Sequence, residues 1–259
     1  MKQYIVDAFT DKVFSGNPAA VCVMDRWPSE ELMQSIAVEN SFAETAFTVK
    51  EKGGYRLRWF TPGGEIDLCG HATLAAGYVI LRFYETQDSA VSFETMSGPL
   101  TVCRDGDRLE MDFPAYEARP VPVTDTMARA IGTRPAEAYI DRDLMLVVED
   151  QSIVAALTPD QEKLMELPGL LCIVTAKGMD FDCVSRVFGP KLAVPEDPVT
   201  GSAHCMLAPY WAVRLGKTSL TCFQASRRTG VLSCSLAGRR VKLAGQAVLF
   251  AVSEILPEL

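Results

Sequence analysis

Histidine is scarce in this 259-residue chain: there are two, His71 and His204. The eight cysteines, Cys22, Cys69, Cys103, Cys172, Cys183, Cys205, Cys222 and Cys234, form no Cys-x-x-Cys pair, and neither histidine lies at ligand spacing from a cysteine pair. The familiar zinc patterns are therefore missing, and no metal site is expected. Most of the cysteines sit inside apolar strand-like runs, where reduced, buried thiols are expected rather than a disulfide framework. Positive charge is also short. Lys and Arg number 25 against 33 Asp and Glu, a net charge of -8. An acidic surface repels phosphate backbones, so nucleic acid is not an expected partner. No basic run or basic amphipathic helix points to a membrane surface. Long apolar runs are missing too. Leu74 to Leu81 is far shorter than the roughly 18 residues a membrane span needs, and the opening Met1-Lys2-Gln3-Tyr4-Ile5-Val6-Asp7 meets an acid too early for a signal peptide. A cytoplasmic location is expected. Hydrophobic residues still make up 48% of the chain, enough for a substantial core in one large domain or two of ordinary size.

Strand signals and helix signals alternate along the chain. Tyr4 to Phe9 and Ala19 to Met24 read as strands around a Ser15-Gly16-Asn17-Pro18 turn. Ser29 to Asn40 reads as a helix with Leu32, Met33, Ile36 and Ala37 on one face. Ala46 to Lys50 and Tyr55 to Thr61 read as strands. Ala72 to Phe83 is apolar almost all round, the mark of a helix buried on every side. A meander follows over Val91 to Thr95, Leu100 to Arg104 and Leu109 to Phe113. Pro114, Pro120 and Pro122 then mark a domain boundary near residue 117. Beyond it, Asp125 to Ile131 reads as a short helix ended by Gly132. Thr158-Pro159-Asp160-Gln161 reads as a capping box opening a helix to about Leu167. Leu171 to Ala176, Asp182 to Phe188, Leu220 to Ala225, Val231 to Leu236 and Arg240 to Leu243 read as strands, with a hairpin turn at Gly238.

A faint internal repeat links the halves. Arg58-Trp59-Phe60-Thr61-Pro62 is followed after seven residues by Gly70-His71-Ala72-Thr73. Arg186-Val187-Phe188-Gly189-Pro190 is followed after ten residues by Gly201-Ser202-Ala203-His204. An apolar helix-like run follows each copy, although Pro209 interrupts the second. Strand, loop, glycine and helix, twice over, suggest duplication.

The two glycine turns are also where chemistry can sit. The first N–H groups of a helix lack internal partners and carry positive partial charge, so they can hold a carboxylate. The same glycines are equally explained as tight turns. His71 directly follows its glycine. His204 lies three residues after its own, where packing or capping is the expected role. Glu44 lies in Phe42-Ala43-Glu44-Thr45-Ala46-Phe47, at the junction of a helix and a strand. Partial desolvation makes a carboxylate a stronger base, which removal of a carbon-bound proton requires; a solvated loop glutamate is the plainer alternative. Asp197 stands just before the second glycine turn, as a second carboxylate for the same chemistry or as a cap on that turn.

Several motifs together resemble the PhzF-like family of phenazine biosynthesis. They are Asp7-Ala8-Phe9-Thr10 with Phe14-Ser15-Gly16-Asn17-Pro18-Ala19-Ala20-Val21, Glu44-Thr45-Ala46-Phe47, Arg58-Trp59-Phe60-Thr61-Pro62, Leu68-Cys69-Gly70-His71-Ala72-Thr73, and Glu196-Asp197-Pro198-Val199-Thr200-Gly201-Ser202-Ala203-His204. They run in order from about residue 3 to about residue 245.

The resemblance implies an α+β fold similar to diaminopimelate epimerase: two similar domains, each a mixed β-sheet curled barrel-fashion around a central helix. Residues 1–117 and 118–259 would form them, with the C-terminal strand exchanged onto the first domain. It implies a homodimer, an active site in the cleft between domains, and no metal or organic cofactor. The family's essential glutamate maps onto Glu44, its supporting histidine onto His71 and its supporting aspartate onto Asp197. Its substrate-holding groups map onto Gly70, Gly201 and Ser202. The implied reaction is isomerisation of a small carboxylate-bearing substrate such as dihydro-hydroxyanthranilate, with one glutamate moving a proton between two carbons on one face. Two positions depart from the family: Ala43 stands where many relatives have serine, and Thr229 where a glycine is usual. A same-fold epimerase would need two opposed cysteines. Cys69 fits one, but Thr200 holds the other place. A non-catalytic protein that binds small acids or another protein is the remaining alternative.

Overall fold

The computed structural model describes residues 1–256. The chain divides into two compact units, one comprising Met1–Asp112 with the residues from Ala244 onward, the other Phe113–Leu243. The division falls ahead of the proline cluster at Pro120 and Pro122. Among the described residues, no helix is long and apolar enough to cross a membrane.

The first unit contains β1 (Lys2–Ala8), β2 (Asn17–Met24), α1 (Glu30–Asn40), β3 (Thr45–Glu51), β4 (Gly54–Thr61), β5 (Gly64–Ile66), α2 (Gly70–Phe83), β6 (Ala90–Thr95), β7 (Gly98–Asp105) and β8 (Arg108–Pro114). The pairings β1/β2, β3/β4 and β6/β7 are antiparallel; β2/β3 and β4/β6 are parallel. Each parallel pair is bridged by a helix, as a crossover requires. α2 touches β1, β2, β3, β6 and β7, strands from both ends of that order, so the sheet curls around it. α1 covers the outer side, where Met33, Ile36 and Ala37 pack with Cys22, Phe47 and Phe60. Strand alternation explains the two layers, because successive side chains of β2 and β3 serve opposite faces.

The second unit repeats this plan with β9 (Arg119–Val121), α3 (Asp125–Ile131), β10 (Glu137–Ile140), β11 (Leu144–Val147), α4 (Gln151–Ala156), α5 (Gln161–Glu166), β12 (Cys172–Lys177), β13 (Cys183–Gly189), β14 (Val194–Asp197), α6 (Gly201–Leu215), β15 (Ser219–Gln224), β16 (Gly230–Ala237) and β17 (Arg240–Gly245). Here β10/β11, β12/β13 and β15/β16 are antiparallel, while β11/β12 and β13/β15 are parallel. The sequence of pair types is the same as in the first unit, and duplication explains it. The chain then returns to the first unit as β18 (Ala247–Glu254), antiparallel to β1.

Two local expectations change. The helix expected from the capping box starts later: Asp160, not Thr158, is the cap, its carboxylate accepting the Lys163 N–H at 3.2 Å. Asp accepts from a first-turn N–H as well as Thr does, and Pro159 stays outside the helix. The helix expected from Ala72 begins two residues earlier, at Gly70, which puts His71 in its first turn. Pro209 sits inside α6 without ending it. Proline cannot donate to the carbonyl four residues back. That carbonyl, on Cys205, accepts instead from the Tyr116 backbone N–H at 2.9 Å, so the missing bond leaves no unsatisfied acceptor.

Candidate active site

The repeated arginines turn out to be structural. Arg58 grips Glu65 with two nitrogens, both at 2.6 Å. Arg186 grips Glu196 in the same two-point way, at 2.7 and 2.9 Å. Each guanidinium also lies over an aromatic ring two residues along its own strand, Phe60 at 5.2 Å and Phe188 at 5.1 Å. A planar fork matched to a carboxylate fixes orientation as well as distance. Each clamp ties the short strand before a glycine turn, β5 or β14, to the long strand beside it. The glycine turns are thereby placed.

In the first unit this brings together Glu44, Cys69, Gly70 and His71. Glu44 is the last residue before β3. α1 ends with Ser41 in a left-handed conformation (φ 53°), and the Asn40 amide reaches over to Thr45 Oγ1 at 3.0 Å and Gln3 Oε1 at 2.9 Å. The stretch carrying Glu44 is thus tied at both ends. The Glu44 side chain is 15% exposed and that of His71 6%. His71 Nε2 lies 3.1 Å from Glu44 Oε2. Neither atom makes an aligned hydrogen bond to a protein group. A buried polar atom left open in this way calls for an explanation, and an acid/base site supplies one.

On its other side, His71 Nδ1 lies 3.2 Å from the Asn17 amide nitrogen and 3.5 Å from Cys69 Sγ. Burial pulls the imidazole down, but Cys69 and Glu44 outweigh it and hold it well above the ordinary histidine value. Burial and the Glu44 charge push the Cys69 thiol up. Those two tendencies conflict, because a sulfur that keeps its proton lends His71 no charge. The Glu44 carboxylate is therefore the durable cause of the upward pull on His71. Glu44, Cys69 and His71 are also the one group of three possible metal donors close together among the described residues, within 4.8 Å of one another. Cys69 and Glu44, however, face opposite ring nitrogens, whose lone pairs diverge. A single ion could not take all three in this arrangement.

In the second unit Asp197, Thr200, Gly201 and Ser202 lie together. Thr200 Oγ1 donates to Asp197 Oδ2 at 2.6 Å, and the Gln224 amide donates to the Asp197 carbonyl at 2.7 Å. Asp197 thus fixes the turn before α6. Gly201 is buried at the helix start, with Ser202 half-buried. Neither α2 nor α6 has a side-chain cap on its first turn. His204 is fully buried, and its Nδ1–H donates to the Thr200 carbonyl at 2.8 Å, the packing and capping role expected of it. Asn17 was not singled out from sequence. It lies 54 positions before His71, and no local pattern marks the pair; its place after Gly16 in a tight turn was the available hint.

A family model described as phenazine biosynthesis-like protein, PhzC-PhzF, matches residues 6–253. An uncharacterized isomerase of Pseudomonas aeruginosa is 50% identical over 245 residues, 95% of each chain. The crystal structure of a PhzF-family phenazine biosynthesis protein from Enterococcus faecalis superposes with a TM-score of 0.97 at 48% identity, covering 99% of both chains. A hydroxyproline epimerase from Agrobacterium vitis shares the fold, with a TM-score of 0.64 at 12% identity over 98% of this chain and 91% of its own.

Proposed function

Because this chain belongs to the PhzC-PhzF family of phenazine biosynthesis-like proteins, we propose that it is an isomerase, in which Glu44 moves a proton on a small carboxylate-bearing substrate without a cofactor. The observation that carries the reading is the buried approach of Glu44 Oε2 to His71 Nε2 at 3.1 Å, with both atoms otherwise open. A carboxylate so placed can take a proton from one carbon and return it to another on the same face. His71 steadies the carboxylate and its charge. The uncapped start of α2 at Gly70 offers backbone N–H groups to a substrate carboxylate. For Asp197, Gly201 and Ser202, the family resemblance supports a part in holding substrate.

The two-cysteine epimerase reading fits less well. Cys69 is turned onto His71 Nδ1 and its thiol is pushed up by burial, whereas a thiol base needs a lowered value. In the second unit Thr200 stands at that place, and its hydroxyl is committed to Asp197.

The test is proton NMR of dihydro-hydroxyanthranilate with the protein in D2O. The wild-type protein should isomerise it or exchange deuterium into it, and Glu44→Gln should lose at least about a hundredfold of that rate, the usual worth of a general base. Undiminished turnover in Glu44→Gln would sink the mechanism. Silence from both proteins on this and other small acids would favour a non-catalytic binding role.

A further inference from the structure

We propose that Asn17 is a positioning residue: its amide holds His71 Nδ1 as an acceptor and so keeps the neutral ring's one N–H at Nε2, the nitrogen beside Glu44. The inference rests on the acid/base reading of Glu44 for its purpose, but its geometry stands apart from that reading.

Asn17 is fully buried at the first position of β2. A buried amide needs partners, and its nitrogen has His71 Nδ1 at 3.2 Å. The turn that delivers it is unusually constrained. Gly16 has φ +65°, and a Cβ there would lie 2.2 Å from the Ala8 carbonyl oxygen. Only glycine closes this turn while Asn17 stays in register opposite Ala8. The side chain is therefore aimed from a fixed backbone.

An amide nitrogen can only donate, so Nδ1 must accept. The Cys69 sulfur approaches the same nitrogen at 3.5 Å, and a thiol that keeps its proton donates as well. Two donors at Nδ1 leave no room for a proton there, and the neutral ring must carry it at Nε2. Nε2 lies 3.1 Å from Glu44 Oε2, close enough for that N–H to serve the carboxylate although the two are not aligned as a hydrogen bond. The opposite tautomer would present a lone pair to the carboxylate, repelling the charged base and leaving it without a donor.

His204 provides an internal control. Its Nδ1 faces a backbone carbonyl, which only accepts, so its proton must be on Nδ1. The chain's two histidines should thus be opposite tautomers. Long-range proton–nitrogen NMR of the unliganded protein, followed to a pH above the raised titration of His71 so that both rings are neutral, reads both tautomers directly. Wild-type protein should show His71 bare at Nδ1 and protonated at Nε2, with His204 the reverse. Asn17→Asp, which keeps the shape but replaces a donor with an acceptor, should add a proton at His71 Nδ1 and leave His204 unchanged. A wild-type His71 protonated at Nδ1, or a His71 spectrum unmoved by Asn17→Asp, would overturn the proposal. On dihydro-hydroxyanthranilate, Asn17→Ala should lower kcat about tenfold with KM little changed, the scale of one lost hydrogen bond. An unchanged kcat would overturn the positioning role. Because the NMR arm needs no substrate, it decides the tautomer even if Glu44→Gln disproves the acid/base reading.

Discussion

The starts of α2 and α6 share one scaffold and differ in the side chains that it carries. Aligned on Gly70 and Gly201, the residue three places on is Thr73 in one and His204 in the other. Thr73 Oγ1 donates to the Cys69 carbonyl at 2.5 Å, and His204 Nδ1 donates to the Thr200 carbonyl at 2.8 Å. Both bonds run to the residue four back and tie down the helix entrance. The counterpart of His71 is therefore Ser202, not His204. Duplication kept the scaffold job at the deeper position and let the position after the glycine diverge.

Exchanging the roles gives the largest expected effect. His71→Ala should cost about ten- to a hundredfold in turnover and little stability. His204→Ala should do the reverse. It removes a buried ring and strands the Thr200 carbonyl, for a loss of about 2–4 kcal/mol, while each folded molecule keeps its turnover. His204→Thr, which copies Thr73, should recover part of that loss. Denaturant titration beside steady-state kinetics separates the two quantities. Equal turnover losses at both positions would break the comparison.

The next contrast lies one turn deeper. Gly77 in α2 corresponds to Ala208 in α6. A Cβ on Gly77 would come within 2.5 Å of Val102 Cγ1 and within 2.9 Å of three Val102 side-chain atoms. Alanine is the better helix former by about 1 kcal/mol, but β-branched Val102 has little freedom to swing aside. The clash wins, and Gly77→Ala should destabilise by about 1–3 kcal/mol. At Ala208 the methyl is already accommodated and fully buried, so Ala208→Gly should lose about 1 kcal/mol or somewhat more through helix propensity and the lost contact. A stabilising Gly77→Ala would show that the sheet around α2 is looser than its close approach implies.

The same comparison shows what could be read from the chain alone. The all-apolar run through Leu74 and Ile80 marked α2 as a central helix, and the paired Arg-x-Phe and glycine motifs marked the duplication, because periodicity and turn residues act locally. The candidate site was legible as far as its motifs reach: Glu44 by its apolar neighbours, His71 by its glycine. What was hidden depends on distance along the chain. The clamps of Arg58 on Glu65 and Arg186 on Glu196 span 7 and 10 positions, so no fixed spacing announces them. The different role of His204 was legible as well, because it lies three residues after its glycine where His71 lies one. The contact of Asn17 with His71 arises only when the chain folds, and the return of β18 to β1 was expected from the family resemblance and not from any local pattern.

The smallest effect concerns the hairpin after each central helix. In the first unit the turn between β6 and β7 leads into Gly98 at φ 90°, and glycine takes that conformation freely. In the second unit Thr229 carries the positive φ, 58°, just before Gly230. Threonine is β-branched, and its left-handed conformation costs roughly 1–2 kcal/mol. The turn holds it there through the Thr229 N–H, which donates to the Ser226 hydroxyl at 3.1 Å. Glycine would keep that N–H and shed the strain, at the expense of a more flexible unfolded chain. Thr229→Gly should therefore raise stability by about 1 kcal/mol, read as a higher denaturant midpoint with an unchanged slope. A lower midpoint would mean that the threonine side chain holds this hairpin more firmly than its backbone strains it.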